Sequence, residues 1–352
     1  MLGRSFETLL IAVMGGVLFS YIHIPLPWML GPLSAVMLWN ALAKRKVYWP
    51  VKLRNAGLIV LGFIMGSPFT LETGRQIVLQ LPTMLAATLA TVFISMGIGY
   101  FTARQTGISL SSSLVGSVPG GLSQMVVLGE ELADTDITVV TFMQTVRLLS
   151  VVFIVPFLAI HGLAPGTDTS TFVTVNTAFA DERDYGLFAA VSLVSAVAAA
   201  FFKLPTPYML GPLLGTACTV LAGFAAPLPP DEVVLPAQLA VGIYMGTGMN
   251  LQSLTNWKSI FPYTLMGAIG VVLFSLVLGY LISSQHSYSL VTAFLSTAPG
   301  GMTEMGLTAM ILHADLSVII AYQIFRLVFI LLAVPPLLKW LLQFIRQKNE
   351  FN

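Results

Sequence analysis

Charge is scarce in this chain of 352 residues: Asp, Glu, Lys and Arg together make up 9% of it, against roughly a quarter of a soluble globular protein. With 56% hydrophobic residues beside that deficit, the two or three soluble domains that the length alone would suggest are excluded. An excess of one sign is missing as well. Sixteen Lys and Arg face fifteen Asp and Glu, a net charge of +1, so no basic field is present to hold nucleic acid. The single cysteine, Cys218, has no partner for a disulfide within the chain or for a thiolate metal cluster. The four histidines, His23, His161, His286 and His313, stand apart from one another, and none pairs with another at the i, i+3 or i, i+4 spacing of a helical metal site. P-loop, dinucleotide fingerprint and nucleophile elbow are absent too. The chain reads as an integral membrane protein with no enzymatic chemistry, no cofactor and no metal.

What is present is a duplication. The decapeptide IPLPWMLGPL at 24–33 returns as LPTPYMLGPL at 204–213, with seven identities in ten positions at an offset of 180. At the same offset GFIMG at 62–66 matches GIYMG at 242–246, and SVPGGLSQM at 117–125 matches TAPGGMTEM at 297–305. One residue lost later from the second copy shifts the offset to 179, so that Asp136, Gln144 and Arg147 fall on Asp315, Gln323 and Arg326. Such self-similarity is the mark of a fold built from repeats.

Apolar runs long enough, or nearly so, to cross a bilayer at about 1.5 Å per residue divide each copy into six segments. In the first copy these are 9–22, 28–42, 56–65, 82–101, 108–128 and 137–160; the second copy repeats them from 186 to 342. The run after Arg4 has the outline of a signal peptide but lacks a cleavage site, and reads as the first helix. The third segment is short, and the fifth is broken in its middle by Pro-Gly-Gly. Residues 162–185 are polar and read as a linker between repeats 1–161 and 186–352. If one segment per copy, the broken fifth, is re-entrant, the copies are inverted; if all six cross, they are parallel. Inverted copies place twelve Lys and Arg in the cytoplasm, Arg75 and Arg183 outside, and Arg147 and Arg326 in the membrane. Parallel copies place eleven inside and three outside. The basic loop containing Lys44, Arg45, Lys46, Lys52 and Arg54 has a counterpart at 223–232 without Lys or Arg, so equivalent loops are expected to face opposite sides and inversion is the expectation.

The sharpest chemical signal is the pair of Pro-Gly-Gly elements, Pro119, Gly120, Gly121 and Pro299, Gly300, Gly301. Proline removes a donor and clashes with the preceding turn, glycine frees the backbone, and a helix should break there. Open backbone at membrane depth is tolerated where it is buried in protein or lines a cavity, and paired breaks in two repeats point to a transporter's binding site. Close helix packing is the structural alternative. Ser117, Ser123 and Gln124, with Thr297 and Thr303, flank the breaks. Glu304 is an acid inside an apolar segment, and is either an ion-coupling site or a carboxylate tied to an arginine. Arg147 and Arg326, with Gln144 and Gln323 one turn before them, bring a guanidinium that can hold a carboxylate or phosphate or tether the broken backbone. Asp136 and Asp315 open helices and read as N-caps. The MLGPL elements read as tight turns with close packing.

With these residues in view, the chain resembles the AbrB-type multi-pass membrane family, in which a unit of about half this length is duplicated. The MLGPL pair, the Pro-Gly-Gly pair and the two Asp, Gln, Arg trios carry the resemblance over nearly the whole chain. Members carry provisional labels, ammonia monooxygenase or regulator of gene expression. The first label requires metal ligands and the second a DNA-binding module, and the sequence offers neither. The resemblance implies the duplicated membrane fold and an indirect effect on gene expression.

The expectation is an all-α integral membrane protein of the bacterial cytoplasmic membrane, with both termini cytoplasmic. It has two homologous, inverted-topology repeats of five or six transmembrane segments, each including a Pro-Gly-Gly broken helix. The expected activity is secondary transport of a small polar or anionic metabolite, with membrane sensing or regulation as the alternative. Its partners are the lipid bilayer and the solute, without nucleic acid, and a homo-oligomer is left open. Ser117, Pro119, Gly120, Gly121, Ser123, Gln124, Gln144 and Arg147 would bind the solute from one copy. Thr297, Pro299, Gly300, Gly301, Thr303, Gln323 and Arg326 would do so from the other, and Glu304 would couple an ion.

Overall fold

A hydrocarbon solvent leaves the backbone no partner but itself, and every regular element among the described residues is helical. The computed structural model describes all residues except 1, 44–46, 121, 133, 165–181, 228, 249–256, 287 and 351–352, and omits the side chains of 2–3, 73, 122–124, 127, 182–183 and 343–350. In chain order the helices are α1 (Leu2–Tyr21), α2 (Pro27–Ala43), α3 (Val51–Gly66), α4 (Leu71–Leu79), α5 (Leu81–Thr106), α6 (Leu110–Ser117), α7 (Leu122–Glu131) and α8 (Ile137–Phe157). There follow α9 (Glu182–Phe201), α10 (Pro207–Leu221), α11 (Asp231–Gly248), α12 (Trp257–Gln285), α13 (Leu290–Thr297), α14 (Met302–Ile311) and α15 (Leu316–Glu350). Among the described residues five helical stretches are long and apolar enough to cross a membrane: Leu81–Thr106, Ile137–Leu163, Asp184–Phe201, Trp257–Gln285 and Leu316–Leu342. The expected segments recur with longer ends, and α4 is an addition that its polar sequence had concealed.

Local chemistry sets the ends of these helices. Pro27 and Pro207 open α2 and α10 at the position where a missing N–H costs nothing. Ser109 and Ser289 cap α6 and α13 by accepting from the N–H groups of Ser112 and Thr292. Asp136 caps α8, its carboxylate accepting from the N–H of Thr138 at 2.8 Å and of Val139 at 3.4 Å. Asp315 does the same for Val318 at 3.2 Å, so both aspartates take the capping role expected of them. Gly107, at φ 72°, closes α5 in the left-handed conformation that favours glycine.

The chain forms two compact units, and both draw on both halves of the sequence. The first comprises Met1–Leu79, Ile160–Met249 and Gly306–Ile320. Within it α1 packs on α2, α9 on α10, and α10 and α11 on α3, while α11 also packs on α2. Gly62 and Gly66 of α3 lie against the carbonyl oxygens of Met209 and Leu213 in the second MLGPL element. Gly242 and Gly246 of α11 lie in the same way against those of Met29 and Leu33 in the first. Close packing of small residues on backbone is how apolar helices associate without a hydrophobic drive, and it accounts for both MLGPL elements.

The second unit comprises Gln80–Ala159, Asn250–Met305 and Ala321–Asn352. Here α12 packs on α5, α8 and α13, α6 packs on α5, α7 and α8, and α7 also packs on α8. An apolar cluster of Val92, Leu114, Val115, Val118, Met125, Val140, Ile330 and Val334 forms part of its core. Both Pro-Gly-Gly elements belong to this unit.

Candidate functional site

The site is built on two interrupted helices. α6 stops at Ser117 and α7 starts at Leu122; α13 stops at Thr297 and α14 starts at Met302. The residue before each proline is extended, as the proline ring demands: Val118 at φ −66° and ψ 133°, Ala298 at φ −59° and ψ 132°. The next N–H beyond proline folds back, Gly120 donating to the Val118 carbonyl at 2.8 Å and Gly300 to that of Ala298 at 2.9 Å. Each break exposes the last carbonyls of an eight-residue half-helix, which need donors from elsewhere.

The glutamine and arginine of α8 and α15 supply them. Gln144 Nε2 donates to the carbonyls of Val115 and Val118, both at 2.9 Å. Arg147 Nη1 donates to Val118 at 2.6 Å and its Nη2 to Gly120 at 3.3 Å. In the second element Gln323 Nε2 donates to Leu295 at 2.9 Å and Ala298 at 3.2 Å. Arg326 Nη1 donates to Ala298 at 2.5 Å and Thr297 at 3.3 Å, and Nη2 donates to Gly300 at 2.9 Å and also to Gln323 Oε1. The one-turn spacing that put glutamine and arginine on one helical face thus works as a carbonyl cap for the half-helix opposite. Arg147 and Arg326 are buried, 7% and 8% exposed, and lie within electrostatic reach of each other. All their hydrogen-bond partners among the described residues are carbonyl oxygens, backbone or amide; neither meets a carboxylate.

Glu304 is buried at 2% exposure in the first turn of α14, where the positive end of the helix dipole favours an acid. Its carboxylate folds back over Gly301 so closely that a Cβ there would overlap Oε2. That contact explains the second glycine of this element. Thr297 Oγ1 donates to the carbonyl of Ser275 on α12 at 2.8 Å, so the hydroxyl ties α13 to its neighbour. Ser117 and Thr303 are buried near the breaks. Gly121 lies outside the described residues, as do the side chains of Ser123 and Gln124.

Two cavities accompany the breaks. One of about 20 Å³ is lined by Thr102, Ser117, Arg147 and Thr264 with apolar neighbours. Thr102 and Thr264 had no signal in the sequence, since an isolated threonine in an apolar run looks like any other helix residue. A larger cavity of about 610 Å³ lies at the other end of α6, lined by Ser109, Ser112, Glu130, Asp134, Thr135 and Asp136 among others. Its acids give it the wrong sign for an anion. No three His, Cys, Asp or Glu side chains gather as metal ligands among the described residues.

Comparison with known proteins places this arrangement among relatives. The model of a family described as "Transition state regulatory protein AbrB" matches residues 28–342. A Bacillus subtilis (strain 168) protein named "Uncharacterized protein YhjN" is 26% identical over 347 residues, covering 93% of this chain and 90% of the relative. A protein of Escherichia coli (strain K12) named "Putative regulator AbrB" is 24% identical over 325 residues, covering 92% of each.

Proposed function

The chain belongs to the AbrB family, and from the geometry of its second unit we propose that it is a secondary transporter of a small polar or anionic metabolite. One observation supports this reading: two buried guanidinium groups stand at the broken helices with only carbonyl oxygens as hydrogen-bond partners among the described residues. Carbonyl dipoles orient such a charge but do not neutralise it. A buried cation without a counter-charge costs several kcal/mol, and an anionic solute arriving between the breaks supplies the missing charge. Interrupted helices in corresponding places are how transporters build such a seat. In this reading the two sequence halves are inverted repeats of a bacterial cytoplasmic membrane protein whose termini are cytoplasmic. The bilayer and the solute are its partners, and the solute passes unchanged. Glu304, a buried acid at the start of a half-helix, is the coupling site for a proton or cation. Its counterpart in the first copy is the neutral Gln124, which limits coupling to one site per chain.

The name of the Escherichia coli relative favours a second reading, a membrane regulator that binds the same solute and signals to a partner. The basic loop would be its contact, although Arg54 is already engaged with Asn55 and stacked over the Tyr244 ring. Currents from proteoliposomes on a solid-supported membrane separate the two, with concentration jumps of acetate, lactate, succinate and phosphate as probes. Transport predicts a saturable current for at least one of these anions that Arg147→Gln abolishes. Stabilisation of the purified protein by an anion that drives no current would support the regulator, and the absence of both would reject an anion site.

A further inference from the structure

We propose that the small cavity beside the first broken helix holds a resident halide-sized anion. Thr102 of α5, Ser117 of α6, Arg147 of α8 and Thr264 of α12 line it, with Met143 and Val271 among the apolar walls. Its volume of about 20 Å³ admits a single compact particle and excludes a metabolite of several heavy atoms.

Two polar groups around it lack an acceptor among the described residues: the Nε–H of Arg147, which is 7% exposed and can only donate there, and the hydroxyl of Thr102, which is 1% exposed. Thr264 already donates to the Ile260 carbonyl at 3.0 Å. A buried donor left without an acceptor is costly, and more so when it is charged. A water molecule would satisfy the hydrogen bonds but leave the charge of the guanidinium in place. A monovalent anion answers both needs, and the neighbouring charge of Arg326 adds to its attraction. Carbonyls in and before the break would repel an anion if they were bare; those of Val115, at the end of α6, and of Val118 and Gly120, in the break, are covered by Gln144 and Arg147.

The second broken helix shows what a closed version looks like. There Arg326 spends its hydrogen bonds on three carbonyls and on Gln323 Oε1, whereas Gln144 Oε1 has no partner and Arg147 makes two hydrogen bonds. The first arginine is the one left with capacity for an ion. The halide site is distinct from the solute's seat between the breaks: it lies on the Thr102 side of Arg147, is filled whether or not any solute moves, and leaves Arg326 as the buried positive charge still without a counter-ion.

The test is a titration of the full-length protein in detergent, exchanged into sodium gluconate and brought stepwise to sodium chloride at constant ionic strength. Melting temperature and the ³⁵Cl NMR linewidth are the readouts. The expected result is a saturable rise in melting temperature, with excess linewidth that bromide displaces. Thr102→Val, which keeps the shape and removes the hydroxyl, should weaken chloride about tenfold, the equivalent of one hydrogen bond to an ion. Arg147→Gln should abolish the response; should that variant fail to fold, Thr102→Val decides alone. Identical melting in chloride and gluconate, or a Thr102→Val titration that matches wild type, would overturn the proposal and leave the cavity to water. Saturation by formate but not by chloride would also overturn it, assigning the cavity to a carboxylate instead.

Discussion

The two compact units bury very different material. Of the twenty-eight buried polar and charged residues among those described, seven lie in the first unit and twenty-one in the second, and the second holds all three that are charged, Arg147, Glu304 and Arg326. The first unit is held by glycines of α3 and α11 seated on the carbonyls of the MLGPL helices. The second is held by hydroxyls that tie the half-helices to α5 and α12 and by glutamines and arginines that serve broken backbone. Buried polar groups are expensive unless they are satisfied, and close glycine contacts are inexpensive but chemically silent. The difference teaches that one unit is scaffold and that the chain concentrates its reactive potential in the other.

The comparison can be broken most severely in the scaffold. Gly62→Leu would drive a side chain into the Met209 carbonyl, and overpacking against rigid backbone costs about 3 kcal/mol or more. Loss of folded protein by size-exclusion chromatography in detergent is the expected outcome; a wild-type melting curve would show that the glycine contact does not hold the unit together. Next in size is Arg326→Gln. It strips donors from three buried carbonyls, and should lower stability by about 3 kcal/mol. Arg147→Gln, which removes two such bonds, should lose clearly less in the same thermal-melt assay. Equal losses would mean that the first element is as closed as the second.

A smaller effect is expected for Glu304→Gln, which makes the second element like the first. The loss of its interaction with the start of α14 is worth about 0.3–1 kcal/mol, so the fold should survive while solute current loses its dependence on a proton or cation gradient. Retained coupling would remove Glu304 from the mechanism. The smallest change is Gly97→Ala. A Cβ there meets nothing within 4 Å, and replacing a helical glycine should stabilise α5 by up to about 1 kcal/mol. Destabilisation would show that the open face of this helix is covered by something else.

Much of the second unit was legible in the sequence because its signals are local. Pro119 and Pro299 break their helices where they stand, Asp136 and Asp315 cap the residues that follow them, and Gln144 and Arg147 share a face by their spacing alone. The scaffold was less legible. GFIMG and MLGPL were visible as repeated words, but that Gly62 meets Met209 and Gly242 meets Met29 is a long-range pairing that no local pattern encodes. The compact units likewise cut across the sequence halves, because compactness records contact and not order along the chain. Glu304 had two readings from sequence, ion-coupling or a tie to an arginine. It lies buried at the start of α14, folded over Gly301, and the coupling of the Glu304→Gln current separates the two.

The central claim is that the broken helices of the second unit receive an anion through Arg147. The most direct test is thermal stabilisation of the detergent-purified protein by acetate, lactate, succinate and phosphate, comparing wild type with Arg147→Lys, which keeps the charge but loses the forked geometry. The account predicts that at least one of these anions raises the melting temperature of wild type in a saturable way, and raises that of folded Arg147→Lys far less. If none of them stabilises wild type, or if both proteins respond alike, the arginines only hold the backbone and the account is contradicted.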